Sequence, residues 1–147
     1  MSQKELELIQ KVIKIAQESD SEKLEIDDKF DISDGLFYLS DKSIEYRMTP
    51  RPKSKQLDSF LEKLSLQDLV LLEAVMDGGK ELIKSCRAFP LQENISYYNS
   101  IHNSTKHLAV NISEKSSLVK YLEAGIKAYS SEYGHVRGPE TGNNRPG

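Results

Sequence analysis

The chain has 147 residues, 37% hydrophobic and 29% charged, with a formal net charge of −3, one cysteine and no tryptophan. That length suits one domain with a real core, and the near-balanced charge excludes a general polyanion binder. No window approaches the roughly 20 consecutive apolar residues of a membrane span.

The opening MSQKELELIQKVIK puts charges where a secretion signal needs an apolar stretch. Cys86 has no second cysteine to pair with. Both features lead to the expectation of a cytoplasmic protein, in which the sequons at Asn94, Asn103 and Asn111 carry no sugar.

In chain order, Leu6, Ile9, Val12, Ile13 and Ala16 repeat as one stripe of an amphipathic helix over residues 3–18. The acidic SDSEKLEIDDKFDISD then breaks the pattern and reads as a loop; Asp20 to Asp34 holds seven acids and two lysines. In LFYLSDKSIEYRM, Ile44, Tyr46 and Met48 alternate with Glu45 and Arg47, which allows a small β-hairpin over 36–48 that turns at Asp41-Lys42. Two strands alone are marginal, so such a hairpin has to lean on helices. TPRPKS reads as a proline-marked linker over 49–55.

Beyond it the helical signal strengthens. Leu57, Phe60, Leu61 and Leu64 keep helical spacing, and Ser65 followed by Asp68 looks like an N-cap with an acid in the first turn. Eight of the eleven residues from Leu66 to Met76 are apolar, which marks a central helix covered on most sides. Gly78-Gly79 is expected to end that helix, and KELIKSCRAF to resume with Leu82, Ile83, Cys86 and Phe89 on one face. Pro90 suits the start of a further helix. Leu91, Ile95, Tyr98, His102, Thr105, Leu108 and Ile112 then alternate three and four residues apart, a heptad-like seam diluted by asparagines. Leu118, Leu122, Gly125, Ile126 and Tyr129 stripe a last helix, and the glycine- and proline-rich end from 132 to 147 reads as a flexible tail.

The chemical candidates are few. A phosphate-binding Walker loop needs glycine, four residues, then Gly-Lys-Ser/Thr. Counting back from Gly79-Lys80 places Ala74 at the first glycine and Glu81 at the hydroxyl position, so an interhelical turn is the better reading. Asp31-Ile-Ser-Asp-Gly faintly suggests a calcium loop, but the spacing puts Phe30 and Ile32 at ligand positions. His102 and His107 lie off a common helical face, and His135 falls in the tail. No metal-ligand spacing is completed, and no cofactor is expected. Cys86 on its apolar face reads as a small core residue rather than a nucleophile. Glu73 and Asp77 share a face, either as an acid/base pair or, more simply, as the solvated strip of a buried helix.

LDSFLEKLSLQDLVLLEAVMDGGKE, followed by HLAVNISEKSSLVKYLEAGIKAY, resembles the bacterial family catalogued as domain of unknown function 3775. An opening helix, a leucine-rich helix pair ending at a glycine and a base (Gly79-Lys80), and a closing Tyr121-Leu122-Glu123-x-Gly125 signature carry the likeness over most of residues 5–130. YYNSIHN stands where the family has a tryptophan-rich helix. The resemblance implies a small helical bacterial or phage-borne protein and confers no activity.

The expected architecture is a mainly α, compact bundle of five to six helices over residues 1–131. The expected function is a non-catalytic protein-interaction module, an adaptor or regulator that binds another protein or itself. A homodimer is expected along the 91–112 seam through Ile95, Tyr98, His102 and Thr105. Two rivals remain: nucleic-acid association through Arg47, Arg51, Lys53 and Lys55, and an enzyme whose site is assembled in three dimensions around His102, Glu73 or Tyr98.

Overall fold

The computed structural model describes residues 1–30, 32 and 36–135, the last five by backbone alone. It is mainly helical, and among the described residues it has no strand. The helices are α1 (Gln3–Phe30), α2 (Lys42–Met48), α3 (Pro52–Glu62), α4 (Leu66–Ser85), α5 (Leu91–Ile101), α6 (Thr105–Ser113) and α7 (Leu118–His135), with a 3₁₀ turn at Phe37–Leu39. The calcium-like motif lies, Ile32 apart, outside the described residues, as does the tail from 136. Helix α7 itself runs to His135, four residues past the expected end of the domain at 131.

Helix α1 is nearly twice as long as the apolar stripe foretells. Its start is a reciprocal capping box: the Ser2 hydroxyl accepts from Glu5 N–H at 3.1 Å, and Ser2 N–H donates to Glu5 Oε1 at 2.7 Å. Beyond Ala16 the same face continues through Ser19, Glu22, Ile26 and Phe30. Polar groups fill the stripe where their partners lie across on α3. Ser19 Oγ meets Ser54 Oγ at 3.0 Å, and the Glu22 carboxylate accepts from Lys53 N–H at 3.0 Å and Ser54 N–H at 3.2 Å. Glu22 thereby caps the orphan amides of α3, whose first residue is Pro52. The acidic segment is helix as far as Phe30, with Glu22 spent on capping α3, and the supposed linker shrinks to three residues between α2 and α3.

The hairpin expected over 36–48 is also replaced, by the 3₁₀ turn and α2. The alternation of Ile44, Tyr46 and Met48 does not sort them to two faces of a sheet. Ile44 and Met48, four apart, are both exposed, while Tyr46 is half-buried. Tyr46 joins Phe30 and Phe37 in an edge-to-face cluster with centroids 5.4–6.4 Å apart, and donates its hydroxyl to Asp27 at 2.6 Å.

Helix α4 is the axis of the fold. Residues Leu69 to Met76 are all buried, and the helix packs most extensively on α7, then on α5 and α6. Ser65 caps it as expected, accepting from Asp68 N–H at 3.1 Å. Gly78-Gly79 does not end it. The helix runs through both glycines to Ser85 and closes at Cys86, which is left-handed at φ 64° and donates its N–H to Leu82 O at 2.9 Å. The glycines instead admit α7. A Cβ on Gly79 would strike Tyr121 O and stand 2.6 Å from Gly125 N, and a Cβ on Gly125 would strike Val75 O. Two backbones touch where a side chain would hold them apart. Cys86, expected in the core, is an exposed cap residue.

The 91–112 seam is two helices, broken at His102 to Ser104. Its apolar members Leu91, Leu108 and Ile112 are buried in the one-chain core together with Ile9, Val12, Leu61, Leu69, Leu72 and Leu122. Those three positions are satisfied within one chain, while Ile95, Tyr98 and His102 are half-buried and Thr105 is exposed. Below α4, buried Asn94 donates to Ala74 O at 3.3 Å and to the Tyr129 hydroxyl at 3.2 Å. Tyr129 donates in turn to Phe89 O at 2.7 Å, a closed polar network that locks α4, α5 and α7.

Candidate functional site

Two surface features stand out. The first is a polar cleft of about 440 Å³ on α4 beside the glycine contact. Glu73, Met76, Asp77 and Lys80 follow helical spacing and form its floor, and Tyr98 and His102, one turn apart at the end of α5, form one wall. Asn111, Lys115, Ser116 and Ser117 from the α6–α7 connection, with Tyr121 of α7, close the other side. The break after Ile101 shapes it: His102 N–H caps α5 on Tyr98 O at 3.0 Å, and the two rings stack with centroids 5.8 Å apart.

Burial dominates the electrostatics. Glu73 is only 9% exposed and, among the described residues, has no hydrogen-bond or ion-pair partner. Burial pushes its carboxyl above the ordinary value; the charge of Lys115 opposes that shift and Asp77 adds to it. Asp77 is raised as well, by burial first and then by Glu81, against Lys80 and the neighbouring Tyr98 hydroxyl. Burial and then the two acids push the Tyr98 phenol far up, so its hydroxyl stays a donor. Glu73 and Asp77 are therefore no solvated strip: one is buried and the other half-buried. The fold also gathers the three residues of the enzymatic rival, Glu73, Tyr98 and His102, at one site. Among the described residues no three His, Cys, Asp or Glu side chains are grouped to hold a metal ion.

The second feature is apolar. Leu36, Tyr38, Leu39, Ile44 and Met48 are all exposed, Leu39 by 84% and Met48 by 76%, while Phe37 in the same segment is buried. The hairpin pattern hid this surface, because alternation appeared to give each apolar residue a buried face.

The remaining expected site residues scatter. Ile95 is half-buried against the core, and Thr105 is exposed at the first residue of α6. Arg47 folds back onto Ser43, with hydrogen bonds of 3.3 Å to its carbonyl and 3.2 Å to its hydroxyl. Arg51 lies over the Tyr46 ring, 4.9 Å from its centroid. Lys53 and Lys55 are exposed on the first turn of α3, against the acidic flank of α1. Two of the four bases are thus engaged with their own neighbours. Among the described residues no helix is long and apolar enough to cross a membrane.

Comparison with known proteins gives no match to a family model, a curated protein or a solved structure.

Proposed function

We propose that this chain is a non-catalytic protein-interaction module of the cytoplasm, and that its partner-binding surface is the apolar patch around α2 rather than the 91–112 seam. The patch carries the reading. Five large apolar side chains stand exposed within thirteen residues, whereas scattered single exposed hydrophobics are the norm on a monomer. Asp41, Lys42, Glu45 and Arg47, exposed in the same segment, bring both signs of charge, which suits register and selectivity more than raw affinity. Its base is fixed by the Phe30–Phe37–Tyr46 cluster, so the apolar groups are presented on a preformed surface. Membership of the domain of unknown function 3775 family belongs to the same proposal, supported by the leucine-rich pair and the Tyr-Leu-Glu-x-Gly signature.

A photo-crosslinking residue at position 39 tests it, with one at exposed Gln56 on α3 as control. The expected result is a discrete adduct from position 39 alone, abolished by Met48→Lys in a chain that retains its helical spectrum. Identical adducts from both positions, or none from either, would overturn the reading. An adduct of doubled chain mass would identify the partner as a second copy bound through this patch.

A further inference from the structure

The cleft on α4 is distinct from the α2 patch and needs its own explanation. A carboxylate that is nine-tenths buried without a partner is costly, and an interaction module has no use for one beside its core. The charge of Lys115 reaches Glu73 and partly offsets its burial, but Lys115 itself is exposed. The arrangement is of two signs held apart. Glu73 and Asp77 offer acceptors at the floor, and Lys80 and Lys115, both exposed, stand at the rim. The stacked Tyr98 and His102 rings give a flat wall between them. A space of about 440 Å³ is in the range of small-molecule sites and fits a compact polar ligand.

We propose that this cleft binds a small zwitterion of the amino-acid type, its ammonium donating to Glu73 and Asp77 and its anionic group meeting Lys80 and Lys115. A purely cationic ligand leaves the rim lysines to repel it, and a purely anionic one meets two acids. Only a molecule with both charges satisfies both sets. Ser116, Ser117 and Asn111 supply neutral hydrogen bonds around the anionic end.

Amide chemical shifts of the isotope-labelled full chain provide the test. The probes are serine and glycine as zwitterions, putrescine as a cation without the anionic group, and N-acetylserine as an anion without the ammonium. Saturable shifts confined to residues 73–80, 98–102 and 115–121 are expected with the zwitterions alone. Binding should weaken about ten-fold or more in Glu73→Gln and in Lys115→Ala. Lys115 is exposed, so its variant tests the site without altering the buried carboxyl. The proposal is overturned if no zwitterion saturates by roughly ten millimolar. It is equally overturned if putrescine or N-acetylserine binds as well as serine, or if Lys115→Ala binds unchanged.

Discussion

Replacing Gly79 by alanine separates two opposite expectations. In an ordinary helix interior the change stabilises by about 1 kcal/mol, because alanine is the better helix former. Here the new methyl would lie 2.6 Å from Gly125 N and 2.8 Å from the Tyr121 carbonyl carbon, and would collide with the Tyr121 oxygen. Ordinary contact between such atoms is about 3.5–4.0 Å, so α4 and α7 must part by about 1 Å along their most extensive contact. The obstacle is backbone on both sides, which cannot swing away as a side chain can. Overpacking of this kind costs about 1–3 kcal/mol and exceeds that when nothing yields. After the propensity gain, a net loss of about 2 kcal/mol is expected. Urea unfolding followed by helical circular dichroism should show the midpoint falling by about 1 M with an unchanged slope. The melting temperature should fall by about 4–8 °C. A neutral or stabilising Gly79→Ala would refute the backbone contact and with it the wall of the cleft.

Cys86→Gly should stabilise by about 1 kcal/mol, because the left-handed cap at φ 64° suits glycine; denaturant titration checks it, and a loss would refute the cap. Glu22→Ala should cost about 1 kcal/mol by the same assay, since its carboxylate caps the first amides of α3. The carboxyl of Glu73 is raised above its ordinary 4.5 by burial. Its protonated form therefore favours the fold below pH 4.5, and that contribution is lost as pH rises through the higher folded value. Glu73→Gln stays neutral throughout, so it should be more stable than the parent at pH 7, with the difference narrowing toward pH 4.5. Unfolding at both pH values measures this, and a variant weaker at pH 7 would contradict it.

The sequence discloses the helical class and the core positions wherever apolar spacing is unbroken. Leu57, Leu61, the Leu69 to Met76 run and the Leu118, Leu122, Tyr129 stripe are buried as the periodicity expects. What periodicity misses are faces finished by polar groups with distant partners. Ser19 and Glu22 continue the buried face of α1 toward Ser54 on α3, 35 and 32 residues away respectively, and look like loop residues until α3 is placed. The Ser2 and Glu5 capping box has local spacing, so the sequence carries its signal although the stripe reading passes over it.

Glycine has two uses in helices, ending them and letting another backbone approach. Nothing in Gly78-Gly79 alone tells which applies. The companion signal was Gly125 on the last helix, a second small residue at the matching contact. The cleft was half legible. Glu73 and Asp77 share a face in the sequence, and Tyr98 and His102 share another. That the two faces meet over the α6–α7 connection depends on the break after Ile101, where no proline or glycine marks it.

Everything about the cleft rests on α4 being one uninterrupted helix through its paired glycines. Carbon-13 secondary shifts and amide exchange rates for residues 66–85 measure that directly. Helical shifts should persist across Asp77 to Lys80, with exchange at Gly78 and Gly79 as slow as at Leu72. Random-coil shifts and fast exchange confined to those four positions would show that the helix stops and restarts, and would remove the floor on which Glu73, Asp77 and Lys80 are aligned.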